Sequence, residues 1–170
     1  MLRLFDEFPE ALDECRERYR YIMVDEYQDT NNSQFRLVHS LAKVHQNFCV
    51  VGDDDQSIYG WRGAEVANLL NLEKHFPTVQ VVKLEQNYRS TNTILEAANA
   101  VIKNNVQRRE KKLWSNKGAG EPITLWEFRD DEEEAQALVE EINFNRSIKK
   151  VKWREQAILF RTNQQSRPLE

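Results

Sequence analysis

Two short apolar runs, each cut off by acidic residues, constrain this chain most. Tyr21-Ile-Met-Val24 stops at Asp25-Glu26, and Phe48-Cys-Val-Val51 stops at Gly52 and three aspartates. Runs of this length, bounded by turn residues, read as buried strands. Between them, residues 33–43 bring Phe35, Val38, Leu41 and Ala42 to one helical face. A helix over 64–75 turns Ala67, Leu69 and Leu70 inward, with Pro77 as its stop, and Val79 to Leu84 reads as a third strand. Strands alternating with helices mean an α/β layer built on a parallel sheet. The polar loops then sit at the carboxyl ends of the strands, where open α/β sheets bind ligands.

Residues 5–19 ahead of this layer read as a helix. After it the rhythm changes. Residues 91–104 carry Ile94, Ala97, Ala98, Val101 and Ile102 at helical spacing. Residues 103–117 hold six basic residues and one acid, a local charge of +5. Gly118 and Gly120 mark a turn, and a strand is expected from Pro122 to Phe128. Asp130 with Glu133 forms a capping-box pattern ahead of a helix that buries Ala135, Leu138, Val139 and Ile142. A last strand is expected over Gln156 to Phe160. The domain boundary falls near residues 80–85, giving one unit over 1–83 and another over 84–170.

Composition narrows the function classes. The net charge of −4 over 170 residues gives no global case for nucleic-acid binding, so any such surface is local. Two cysteines far apart and three histidines offer neither a zinc site nor a disulfide framework, which fits a reducing cytoplasm. No apolar run approaches the roughly 18 residues of a membrane span.

Chemistry concentrates in three loops. Asp25 and Glu26 follow a strand directly: either Asp25 holds a Mg²⁺ bridging nucleotide phosphates while Glu26 activates water, or the pair is a solvated strand-to-helix turn. In residues 52–64, Gln56 can hydrogen-bond a terminal phosphate or the attacking water. Tyr59 and Trp61 are either platforms for unpaired bases or core anchors of a long loop. Arg62 can pair a phosphate or stack. The three aspartates, Asp53, Asp54 and Asp55, suggest only caps that order the loop. In Leu84-Glu-Gln-Asn-Tyr-Arg-Ser90, Arg89 precedes a helix start and can face a phosphate, and Tyr88 can stack on a base. The alternative is a surface Arg89 paired with Glu85. Arg108-Arg-Glu-Lys-Lys-Leu-Trp114 reads either as a track for a DNA backbone or as a solvated loop with Trp114 in the core.

Three strings carry a resemblance. Asp25-Glu-Tyr-Gln-Asp-Thr30 resembles motif II of superfamily-one DNA helicases of the UvrD, Rep and PcrA group, the Walker B box in their spelling. Val50-Val-Gly-Asp-Asp-Asp-Gln-Ser-Ile-Tyr-Gly-Trp-Arg-Gly-Ala64 resembles motif III throughout its length. Leu84 to Ser90 resembles motif IV. The resemblance implies RecA-like motor folds of the P-loop type. It gives Asp25 to Mg²⁺, Glu26 to catalysis, Gln56 to sensing the γ-phosphate, and Tyr88 and Arg89 to ATP, with Arg89 stabilising the transition state. Tyr59, Trp61 and Arg62 go to single-stranded DNA. Ala157 to Arg167 is similar to a further box of the family, with Arg161 and Asn163 near DNA phosphates.

The sequence contains no G-x-x-x-x-G-K-[ST] phosphate loop. Both motor folds are therefore expected to be incomplete: the back part of the first over 1–83 and the opening of the second over 84–170, with exposed apolar edges. The implied parent is a cytoplasmic, nucleoid-associated ATP-dependent 3′–5′ helicase. It would act on single-stranded DNA and on single-strand/duplex junctions in repair or replication, with this piece inactive until other helicase segments complete the site. A non-catalytic DNA- or protein-binding module derived from a helicase, and a part of a helicase-nuclease, are the alternatives.

Overall fold

Proline sets the first break. The computed structural model describes all of residues 1–170, and where one helix is expected over 5–19 it has two, α1 (Leu2–Glu7) and α2 (Pro9–Arg18). Phe8 between them leaves the helical region, at φ −134° and ψ 84°, because a residue ahead of proline is disfavoured there. Pro9 itself opens α2 without losing a hydrogen bond. Strand β1 (Ile22–Val24) follows, then α3 (Asn32–Ala42) and β2 (Phe48–Val50). The start of α3 is closed by reciprocal bonds: Asn31 Oδ1 accepts from the Gln34 amide, and Gln34 Oε1 accepts from the Asn31 amide.

The two strands pair in parallel, with Ile22 opposite Phe48 and Val24 opposite Val50. Only one of their faces is covered. Ile22, Val24, Phe48 and Val50 pack on a core of Tyr27, Ala42, Leu72 and Phe76, joined by Phe35, Leu69 and Val79. Met23, on the other face, is 81% exposed. The expectation of buried strands is thus corrected to strands buried on one face. The ring centroids of Phe48 and Phe76 lie 4.1 Å apart in a tilted contact.

The expected helix over 64–75 is two short ones, α4 (Ala67–Leu70) and α5 (Leu72–His75), broken at Asn71. Leu69 and Leu70 are half-buried as expected, but Ala67 is exposed and Asn68 is buried in its place. Helix α6 (Asn92–Ile102) buries Leu95. The expected apolar stripe is only partly used, since Ile94 and Val101 are exposed. The reason is polar: Asn92 and Asn99 face the neighbouring segment and bond the backbone of Ser115 and Leu113 in both directions.

Three expected strands are absent. Val79–Leu84, Pro122–Phe128 and Gln156–Phe160 are irregular. A strand needs a neighbour for its backbone groups, and the sheet holds β1 and β2 alone. Their side chains show it: Leu125 is 92% exposed.

The chain forms two compact units, Met1–Glu121 and Pro122–Glu170. The second is built on α7 (Asp131–Ser147). Asp130 caps it by accepting from the Glu133 amide, while the Glu133 carboxylate accepts from Arg129 rather than closing the expected box. No helix is long and apolar enough to cross a membrane. Phe76→Ala is expected to lower the stability of the first unit by about 3–5 kcal/mol, whereas Met23→Ser should stay within about 0.5 kcal/mol; urea unfolding curves of the two variants check the contrast.

Candidate functional site

Both strands of the sheet end in the loops that carry the chemistry, and the ladder carries on past them. The Val51 amide donates to Val24, and the Tyr27 amide donates back to Val51. Tyr27 is thereby drawn into the core, and Asp25 and Glu26 are left exposed at the carboxyl end of β1. Glu26 adopts a left-handed conformation, φ 48° and ψ 44°, uncommon for a residue with a side chain. Its amide donates to Asp25 Oδ1 at 2.9 Å.

Gln28 joins the two loops. It is 1% exposed. Its Nε2 donates to Glu26 Oε2 at 2.7 Å, and its Oε1 accepts from the Asp53 amide at 3.0 Å. Its carbonyl accepts from Ser57 Oγ. A second tie lies further along: Thr30 O accepts from Asn68 Nδ2 at 2.9 Å and from the Glu65 amide.

Asp53 caps the tight helical turn Asp54–Gln56, accepting the Asp55 amide on Oδ1 and Gln56 Nε2 on Oδ2 at 2.7 Å. Gln56 is exposed and anchored by this bond. Past it the loop turns outward. Trp61 is 73% exposed, and the Arg62 guanidinium lies 4.5 Å above its ring and 5.6 Å from that of Tyr59. The reading of Tyr59 and Trp61 as core anchors is overturned, because both rings face solvent. Gly63, at φ +86°, lets the chain turn back.

The aspartates do more than cap. Lys111 Nζ lies 2.8, 2.5 and 3.0 Å from carboxylates of Asp53, Asp54 and Asp55. Arg108 makes two parallel bonds to Asp55, each 2.9 Å, and the Arg109 amide donates to Asp54. The Arg109 guanidinium pairs with Glu73. The basic stretch is therefore neither a solvated loop nor a free track for DNA: three of its four cations, Arg108, Arg109 and Lys111, are spent on carboxylates. The three aspartates come close enough to hold a metal ion, but the Lys111 ammonium already sits among them. Trp114 is half-exposed instead of plugged into the core.

Burial alone would raise the pKa values of Asp53 and Asp55; the hydrogen bonds from Lys111, Gln56 and Arg108 outweigh it and hold both below the usual carboxylate range. Burial likewise opposes the charge on Lys111, and the three carboxylates outweigh it and raise its pKa.

Tyr88 and Arg89 occupy an exposed turn. Asn87 Oδ1 accepts the amides of Arg89 and Ser90, and Lys117 Nζ donates to Arg89 O. Glu85 accepts from the Lys112 amide and makes no pair with Arg89, so the reading of Arg89 as Glu85's partner is set aside. Tyr88 Oη bonds Gln86. In the second unit, Arg161 and Asn163 are exposed, and the Arg161 amide donates to Gln165.

The family models agree with the order of these loops. The UvrD/REP helicase N-terminal domain matches residues 1–77, and the UvrD-like helicase C-terminal domain matches residues 82–170. The chain belongs to the UvrD-like helicases. Over 169 residues it is 50% identical to the ATP-dependent DNA helicase PcrA of Staphylococcus aureus (strain Mu50), covering 99% of this chain and 23% of that protein. The PcrA helicase of Staphylococcus epidermidis (strain RP62A) is 50% identical over 170 residues, with the same coverage. The chain thus spans 23% of the length of the curated relatives it matches. RecA-like, P-loop-type folds go with membership of the UvrD-like helicases, and the small parallel sheet is consistent with them.

Sequence reasoning missed Gln28, Thr30, Asn68, Arg108 and Lys111. The only signal for the last two was charge: three consecutive acids in one loop, and a basic run that needed an opposite partner.

Folding lowers the pKa of Asp53 and Asp55, so their contribution is present above the unfolded carboxylate value, near pH ~4, and is lost as pH falls through the folded values. Folding raises that of Lys111, whose contribution is present below its unfolded value, near pH ~10.4, and is lost as pH rises through the folded one. Lys111→Met is therefore expected to cost about 3 kcal/mol at pH 7, the lower end for a half-open buried pair, and much less once the carboxylates are protonated. Denaturant unfolding at pH 7 and at a pH below the lowered folded values of Asp53 and Asp55 measures this; equal losses at both would contradict it.

Proposed function

We propose that this chain is the central part of an ATP-dependent 3′–5′ DNA helicase that couples ATP hydrolysis to movement on single-stranded DNA in repair or replication. Residues 1–83 form the back part of a first RecA-like motor domain and residues 84–170 the opening of a second. The switch between family models, between residues 77 and 82, supports this division. Segments outside the chain complete both motor folds and supply the phosphate loop. The parent acts in the cytoplasm, on the nucleoid, at single strands and at their junctions with duplex. The names of the relatives, ATP-dependent DNA helicases, support the activity.

One observation carries the reading. A single loop begins at the acidic strand end, through Gln28 and Asp53, and finishes in exposed aromatic rings, Tyr59 and Trp61. Such a loop can feel a nucleotide at one end and a nucleic-acid strand at the other. Asp25, exposed at the end of β1 with Oδ2 unbonded, suits a hard cation such as Mg²⁺. Mg²⁺, when bound, neutralises charge on the transferred phosphoryl group. Glu26 orients and deprotonates water, Gln56 meets the terminal phosphate, and Arg89 stabilises the transition state, with Tyr88 stacking on the base of ATP. Tyr59 and Trp61 stack on bases, Arg62 braces both rings, and Arg161 and Asn163 meet DNA phosphates.

ATP turnover with and without single-stranded DNA tests the reading, on this chain and on the longer reading frame that contains it. The chain alone is expected to be silent and the longer protein to be stimulated by DNA. Arg89→Ala in the longer protein should lower kcat by roughly 10³-fold or more, and Trp61→Ala should weaken single-strand binding by about 1–3 kcal/mol. Turnover by this chain alone would sink the account of a divided site.

A further inference from the structure

We propose that Gln28 is a positioning residue that sets the catalytic carboxylate of Glu26 and ties it to the phosphate-sensing loop. The inference rests on the reading of Glu26 and Gln56 given above and adds the link between them.

Three observations converge on this side chain. It is buried, with both ends of its amide used in a fixed sense: Nε2 donates to Glu26 Oε2, and Oε1 accepts from the Asp53 amide. A primary amide is the neutral group that donates at one end and accepts at the other. Glutamate in its place keeps an acceptor for Asp53 but loses the donor to Glu26. Second, Glu26 sits in a left-handed backbone conformation, a strained state that surrounding contacts must hold. The Gln28 bond is the one side-chain contact made by the Glu26 carboxylate. Third, Gly52 packs against the amide: a Cβ there would lie 2.8 Å from Gln28 Oε1 and 3.3 Å from Gln28 N. The loop leaves β2 with a residue that lets Gln28 through.

The path then continues without a gap. The Asp53 backbone is held by Gln28, and the Asp53 carboxylate holds Gln56 Nε2 and Lys111. A shift of the terminal-phosphate contact at Gln56 is thereby transmitted to the orientation of Glu26. Gln28 itself touches no reacting atom.

The test separates a structural role from positioning. In the full helicase, Gln28→Glu is expected to lower kcat at least about tenfold with the KM for ATP nearly unchanged, the pattern of a lost transition-state contact. In the present chain the same variant should keep hydrogen exchange of the Asp53 amide as slow as in the wild type, since its acceptor remains. Gln28→Met, which loses both contacts, should speed that exchange and lower kcat alike. Wild-type kcat in Gln28→Glu, while Glu26→Gln inactivates, would overturn the positioning role. Unchanged Asp53 exchange in Gln28→Met would overturn the tie to the sensing loop. Full activity in Glu26→Gln would instead remove the reading of Glu26 on which the proposal stands, and the proposal with it. Should Gln28→Glu fail to fold, Gly52→Ala displaces the same amide and is expected to lower kcat; a wild-type rate there counts against the proposal.

Discussion

Three consecutive carboxylates do not lie together, half-buried, without a cation among them, and Lys111 is that cation. Its ammonium offers three donors to three acceptors, and Arg108 adds a two-pronged bond to Asp55. Because the cations come from residues 108–111, the cluster also fixes where that segment runs. From there the backbone bonds Asn99 through Leu113, Gln86 and Asn87 through Trp114, and Asn92 through Ser115. Lys117 then closes on the carbonyl of Arg89. The position of the Arg89 turn against the aspartate loop thus follows from one shared ion cluster.

Asp53 is also tied the other way, toward the end of β1. Asp53 is held by Gln28 and holds Gln56, so the carboxylate loop and the glutamine loop move as one body. Buried polar groups stiffen a structure where they find partners. Here the amide of Gln28, the carboxylate of Asp53 and the side chain of Asn68 all find partners. The exposed rings of Tyr59 and Trp61 are free of this network and meet each other and Arg62. Rigidity at one end of the loop and exposure at the other suit a part that senses at one end and grips at the other.

Much of this was legible in the residues. The apolar runs before Asp25 and Gly52 became the paired strands, and the helices of residues 33–43, 91–104 and the stretch behind Asp130 lie where their periodicity put them. Membership of the family was legible in its boxes. The failures have physical causes. Pro9 and Asn71 broke helices that periodicity alone would carry through. Val79–Leu84, Pro122–Phe128 and Gln156–Phe160 have the apolar character of strands but no neighbour to bond. The roles of Gln28 and Lys111 depend on contacts across 25 and 57 residues of chain, which no local pattern reveals.

The central claim is that the aspartate loop and the basic segment are joined by direct charge pairing. A double-mutant cycle of Asp54→Asn and Lys111→Met, read by denaturant unfolding at neutral pH, tests it most directly. The account predicts that the two changes together cost less than their sum by at least about 1 kcal/mol, as for groups in contact. Strict additivity would mean that the two groups do not sense each other, and would contradict the account.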